Sequence, residues 1–172
     1  VTGSGTVSSA NVGTGKNVTS VNLALANGSG SASNYSINSL TAEITGKPVT
    51  ISGSRLYDST TTASSSILTV TSGVSGESLS LTGSGVLGAA SAGTQTITNN
   101  NTLAIADGSG GLASNYTLSG ATINVTIIPR TLNVTLSREY DGTTSVSGAS
   151  LTPTFDSLQG GETLALSGTG SV

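Results

Sequence analysis

Ala113-Ser114-Asn115-Tyr116 opens a stretch that runs through the alternating apolar residues Ile123, Val125 and Ile127 to Pro129. It continues through Leu132, Val134 and Leu136 to Tyr140-Asp141-Gly142. The stretch occurs twice. Ala32-Ser33-Asn34-Tyr35 leads in the same way to Pro48, a second alternating segment and Tyr57-Asp58, and the Asn-Tyr to Pro spacing is 13 residues both times. Period-2 alternation between Gly, Ser and Asn clusters predicts half-buried strands. No apolar 3.6-residue period persists long enough to predict a substantial helix.

The apolar parity changes across each proline. Before Pro129 the apolar positions are odd and after it even; around Pro48 the order is Ala42 and Ile44, then Val49 and Ile51. A one-residue change of register sends side chains to the opposite face, and proline removes a ladder donor. The stretch therefore reads as a joint where one β-module ends and the next begins.

Working outward, the rest of the chain repeats as well. Val1-Thr2-Gly3-Ser4-Gly5 aligns with Leu81-Thr82-Gly83-Ser84-Gly85 and with Leu166-Ser167-Gly168-Thr169-Gly170, at offsets of 80 and 85 residues. Leu23-Ala24-Leu25-Ala26-Asn27-Gly28-Ser29-Gly30 matches Leu103-Ala104-Ile105-Ala106-Asp107-Gly108-Ser109-Gly110, and Gly161-Glu162-Thr163-Leu164 answers Gly76-Glu77-Ser78-Leu79. A period near 80 is too long for one coil of a solenoid and fits a small domain. The expected fold is all-β: tandem small antiparallel β-sandwich (Ig-like) modules with a period of about 80 residues. Residues 1–47 form the second half of one module, 48–128 a complete module, and 129–172 the first half of the next. Strands are expected near 49–54, 66–71, 78–82, 94–98, 102–106, 115–119 and 121–128, with weaker extended structure at 60–63. Leu68, Val70, Leu79, Leu81, Leu103, Ile105, Tyr116, Leu118, Ile123, Val125 and Ile127 should point inward. The two terminal halves should pair with each other or with a neighbouring chain, or be stabilised only within a longer parent chain, because an isolated half would expose sheet edges.

Composition excludes several function classes. Eight acids and five bases give a net charge of −3 and leave no basic patch for nucleic acid. There is no Cys, His, Trp or Met, which removes disulfides, thiolate and imidazole metal ligands and the commonest general base. Ser and Thr abound without a His to activate them, and Lys16 and Lys47 lack a paired-carboxylate setting, so no catalytic residue, cofactor or metal site is expected and the chain does not read as an enzyme. With no Met to start it, the sequence reads as part of a longer chain. No apolar run approaches the roughly 18 residues of a membrane span. A repetitive, Thr/Ser/Gly-rich chain of low charge suggests a secreted or surface-exposed bacterial protein.

These residues resemble the YDG-type repeats of bacterial filamentous-haemagglutinin-like adhesins exported by two-partner secretion. Matching elements are Tyr140-Asp141-Gly142-Thr143-Thr144, its variant Tyr57-Asp58-Ser59-Thr60-Thr61, the Gly-Glu turn at Gly76-Glu77, the lead-ins Gly13-Thr14-Gly15 and Ala92-Gly93-Thr94, the Asn-Tyr pairs and the closing Ile-Pro. The resemblance implies a stalk or fibre repeat of a large surface or matrix protein, active in adhesion and biofilm. Its partners would be neighbouring modules of the same or another chain, without nucleic acid or membrane insertion.

Asn34, Tyr35, Pro48, Tyr57, Asp58, Asn115, Tyr116, Pro129, Tyr140 and Asp141 are the residues singled out. Tyrosines can stack on sugar rings, which makes a carbohydrate-binding module contacting exopolysaccharide or host glycans the alternative reading. The structural reading is favoured: each ring plugs a core with its hydroxyl on a backbone carbonyl, while Asp caps the turn. Asp107-Gly108-Ser109-Gly110-Gly111 resembles a calcium loop but offers one carboxylate, replaced by Asn27 in the other copy, so a plain turn is favoured. Glu77 and Glu162 read as solvated edge charges. Asn-x-Ser/Thr sequons at Asn17, Asn27, Asn34, Asn100, Asn115, Asn124 and Asn133 open the option of glycosylation. Thr rows such as Thr60-Thr61-Thr62 suggest ice or mineral binding only weakly, because their spacing is irregular.

Overall fold

The computed structural model describes residues 3–20, 22–147 and 152–171. Val1, Thr2 and Val172, used above to phase the repeat and to bound the terminal halves, lie outside them. The described chain is all-β, and its helical content is three single 3-10 turns, at Ala32–Asn34, Ser65–Ile67 and Ala113–Asn115. The strands are β1 (Gly5–Val7), β2 (Gly13–Ser20), β3 (Thr41–Ile44), β4 (Lys47–Leu56), β5 (Thr62–Ser64), β6 (Leu68–Thr71), β7 (Leu79–Thr82) and β8 (Ser84–Leu87). They continue with β9 (Gly93–Gln95), β10 (Ile97–Asn99), β11 (Ala104–Asp107), β12 (Tyr116–Ile128), β13 (Val134–Ser137), β14 (Ser145–Ser147), β15 (Thr152–Phe155) and β16 (Thr169–Ser171).

The chain divides into two compact units. The first takes residues up to 51, 69–82 and 104–122; the second takes 52–68, 83–103 and the residues from 123 onward. In the first unit β1, β2 and β3 make an antiparallel sheet and β7 pairs with β11, Leu81 opposite Ile105. Val49 and Ile51 are buried there, together with Tyr116. In the second unit β8 lies between β10 and β5, β9 pairs with the end of β12, and β13 with β15 and β14 with β16 make two-stranded ladders. Its core is Ala63, Leu87, Val125 and Ile127, with Tyr57, Ile67, Leu68 and Ile97 packed against it.

Alternation places these residues. In β12 the β-branched side chains of Ile123, Val125 and Ile127 are buried while Thr122, Asn124 and Thr126 are exposed, the two-sided pattern of a pleated strand. In β4 the inward series is Val49, Ile51, Gly53, Arg55. Gly53 is demanded by space, since a Cβ there would stand 2.4 Å from the Ile67 carbonyl oxygen.

Several strand expectations need correction. Expected strands at 115–119 and 121–128 are one strand, β12, because Gly120 takes φ 73 and lets the ladder bend without ending. The strand expected at 94–98 is broken at Thr96 into β9 and β10, which pair with different partners. β8 was not anticipated: Ser84-Gly85-Val86-Leu87 looks like a turn, yet Leu87 is buried and Gly85 admits the Ile97 side chain, 2.9 Å from where a Cβ would sit. On the even face of β13, Val134 and Leu136 are each 40% exposed.

Ile127→Ala should lower unfolding stability by about 2–4 kcal/mol through lost burial and a residual cavity, whereas Thr126→Ala, one residue along on the wet face, should change it by less than about 0.5 kcal/mol. Urea unfolding of the whole chain, followed by circular dichroism, measures both.

Candidate functional site

The singled-out residues fall into two groups. Tyr57, Asp58, Pro129, Tyr140 and Asp141 belong to the second unit; Asn34, Tyr35, Pro48, Asn115 and Tyr116 belong to the first.

In the second unit the inward series of β4 ends on a cation. Arg55, with 9% of its side chain exposed, forms an ion pair through Nη1 with Asp58, and its Nη2 donates to the Thr60 carbonyl. Burial lowers the Arg55 pKa. Asp58 Oδ1 also accepts from the Thr60 amide and hydroxyl, both at 2.9 Å. The turn is thus closed from both sides of one carboxylate. The same geometry is found at Arg138, Asp141 and Thr143: Arg138 pairs with Asp141 and donates to the Thr143 carbonyl, and Asp141 Oδ1 accepts from the Thr143 amide and hydroxyl at 2.9 Å. Hydrogen bonds from Arg138, then from Thr143, hold the Asp141 carboxyl down at about 2.

The two arginines were missed. The signal was present, because Val49-Ile51-Gly53-Arg55-Tyr57 and Leu132-Val134-Leu136-Arg138-Tyr140 each carry a cation on the apolar parity, and a buried guanidinium requires a nearby carboxylate. The residue after each aspartate is left-handed, Ser59 at φ 62 and Gly142 at φ 76. Glycine adopts this freely and serine does not.

The tyrosines depart from expectation. Tyr57 is half-buried, its hydroxyl donates to Glu162, its amide donates to the Ile128 carbonyl at 2.9 Å, and Arg130 Nε donates to its carbonyl at 3.0 Å. Tyr116 is buried and donates to Glu77 Oε2. The acceptors are carboxylates rather than backbone carbonyls, and Glu77 and Glu162 are hydrogen-bond partners rather than free edge charges. Bonding to the carboxylate, reinforced by burial, raises the pKa of both phenols. Tyr35 and Tyr140 plug no core: they are 71% and 96% exposed.

In the first unit Asn34 and Asn115 each end a 3-10 turn. Asn115 Oδ1 accepts from the Val12 amide at 2.9 Å and its Nδ2 donates to Asn11 Oδ1 at 3.0 Å. Asp107 Oδ1 accepts from the Ala113 amide and Asn27 Oδ1 from the Ala32 amide, both at 2.7 Å. Aspartate and asparagine therefore do the same capping work in the two loops. Gly108 and Gly111 lie on the Ser78 backbone, where Cβ atoms would approach its carbonyl oxygen to 2.4 and 2.3 Å. Among the described residues there is no group of three or more Asp or Glu able to hold a metal.

Pro48 lies within β4, and Pro129 follows β12. Pro129 lines a shallow groove of about 530 Å³ in the second unit with Tyr57, Arg130, Leu132, Leu158 and Glu162. Chemically this groove offers a phenol edge, a guanidinium and a carboxylate beside apolar walls, with the phenol and carboxylate bonded to each other.

Residues 41–125 match the YDG domain. The YDG segment includes the Arg55, Tyr57 and Asp58 turn in its serine variant, and both Glu77 and Tyr116; the full Tyr140-Asp141-Gly142 lies beyond it. Neither a curated protein nor a solved structure matches the chain.

Ser59→Gly should stabilise the YDG segment by about 1 kcal/mol, since it removes the left-handed penalty and costs some unfolded-state entropy; calorimetry should show a higher midpoint. For Asp141, the unfolded carboxyl titrates near 3.9 and the folded one near 2. Its contribution is therefore complete above about pH 4 and is lost as the pH falls through 2. NMR titration should place the Asp141 midpoint near 2 in the native chain and closer to the ordinary carboxylate value in Arg138→Gln.

Proposed function

We propose that the chain is a structural stalk or fibre segment of a large bacterial surface or extracellular-matrix adhesin, built of tandem YDG-type modules of about 80 residues and exported in the manner of filamentous haemagglutinins. The observation that carries this reading is the internal use of the motif's polar groups. Asp58 and Asp141 are engaged by Arg and Thr of their own turns, and the Tyr57 and Tyr116 hydroxyls by Glu162 and Glu77. Groups arranged in this way hold segments together and leave little for a ligand. The mechanism is mechanical: recurring turns set a constant geometry, proline at the joints limits bending, and low charge permits lateral packing in a matrix outside the cell.

The groove beside Tyr57 favours one second reading, a polysaccharide contact, in which a sugar would lie against the phenol edge and be bonded by Arg130 and Glu162. Pulling the chain by its two ends in a force spectrometer, with a glycan array run alongside, separates the two. The stalk reading expects discrete force peaks, a final stretched length on the order of 600 Å at ~3.5 Å per residue, and a silent array. Smooth extension without peaks would contradict it, and array signal abolished by Tyr57→Ala would favour the sugar reading.

A further inference from the structure

Tension along a chain enters one strand of a pair at one end and leaves the other strand at one of its ends, and the pairing decides which rungs are loaded. In the flanking sheets both loads fall at the same end. Gly5 opens β1 and faces Ser20, which closes β2; Gly13 opens β2 and faces Ile44, which closes β3. Val134 faces Phe155 across β13 and β15, and Ser145 faces Ser171 across β14 and β16, again the first residue of one strand against the last of the other. Pulled through its ends, each of these antiparallel pairs peels rung by rung.

β4 and β12 are arranged differently. They are hydrogen-bonded neighbours, and they run the same way. In the first unit a Cβ on Gly46 would meet Thr117 Cβ at 3.5 Å, and one on Gly120 would meet Pro48 Cγ at 3.7 Å. In the second the Tyr57 amide donates to the Ile128 carbonyl at 2.9 Å. Residue numbers rise together along both strands, as they do in a parallel pair. Chain tension enters β4 at Lys47 and leaves β12 at Ile128, the opposite ends of that pair. The strands must then part by sliding, which loads their evenly spaced, slanted bonds together. Sliding also drags side chains out of their cores: Val49, Ile51, Tyr116, Ile123, Val125 and Ile127 are buried, and all belong to these two strands.

We propose that β4 and β12 form a shear clamp, the element that bears tension in this chain, while the flanking antiparallel pairs yield first as extensible slack. Resistance to pulling is set by the barrier to unfolding rather than by equilibrium stability. The direction of pairing therefore matters more than the amount of buried surface. This inference deepens the stalk reading and rests on its requirement that the chain carry load.

Force spectroscopy through cysteine handles on the intact chain tests it, and the absence of native cysteine leaves a clean background. Thr45→Cys with Thr131→Cys puts handles at exposed positions beyond opposite ends of the pair and pulls it in shear. Thr45→Cys with Ser114→Cys puts both, again exposed, beyond the N-terminal ends and peels it. At one loading rate the peeled chain should open at a several-fold lower force than the sheared one. The unsubstituted chain gives a second readout. Pulled through its two ends, its last and strongest event should release the segment from Lys47 to Ile128, whose stretched length is on the order of 290 Å at ~3.5 Å per residue. Equal forces in the two geometries, or a strongest event that releases a flanking pair, would overturn the clamp. Either result, obtained with discrete force peaks and a silent glycan array, would leave the stalk reading intact.

Discussion

The Tyr116 hydroxyl donates to Glu77, 39 residues earlier in the chain, and much of the first unit depends on that bond. Glu77 is held in place by a buried serine: Ser72 Oγ accepts from the Val74 amide and donates to the Glu77 carbonyl at 3.0 Å. Tyr116 follows the 3-10 turn capped by Asp107, and Asp107 closes the strand that pairs with β7. The phenol therefore fastens the turn before β7 to the turn after β11. In a protein with 3% aromatic residues there are few large side chains to do this by bulk burial. A directional bond from a buried ring to a carboxylate fixes the register that dispersion alone would leave loose.

The same logic runs through the second unit with different residues. Arg55 closes the turn after β4, Arg130 reaches the Tyr57 carbonyl, and Tyr57 reaches Glu162. Apolar packing centres on a small cluster of Ala63, Leu87, Val125 and Ile127, with Tyr57, Ile67, Leu68 and Ile97 against it. Beyond it, backbone ladders and charge-assisted bonds carry the architecture, and glycine recurs where backbones approach too closely for a Cβ, as at Gly53 and Gly108.

Much of this was legible in the sequence. Period-2 alternation located β7 and β11, the body of β4 and, as two strands, β12 with its inward Ile123, Val125 and Ile127, because a pleated strand projects its side chains with that period. What was hidden depended on partners distant in the chain. β8 is disguised by glycine because its room is taken by Ile97, which only the fold reveals. The separation of β9 from β10 follows from their pairing with β12 and β8, which no local pattern specifies. Arg55 and Arg138 could have been found, since a cation on an apolar face is conspicuous. The carboxylate partners of Tyr57 and Tyr116 could not, being 105 and 39 residues away. The exposure of Tyr35 and Tyr140 likewise reflects neighbours rather than local sequence.

A tyrosine motif that fastens chain segments requires Tyr116 and Glu77 to act as one. A double-mutant cycle with Tyr116→Phe and Glu77→Gln, read by urea unfolding of the intact chain, measures this without disturbing the ring's packing. Strong non-additivity is expected, with the double variant scarcely less stable than the worse single one. Additive losses, or a Tyr116→Phe chain as stable as the native protein, would contradict it.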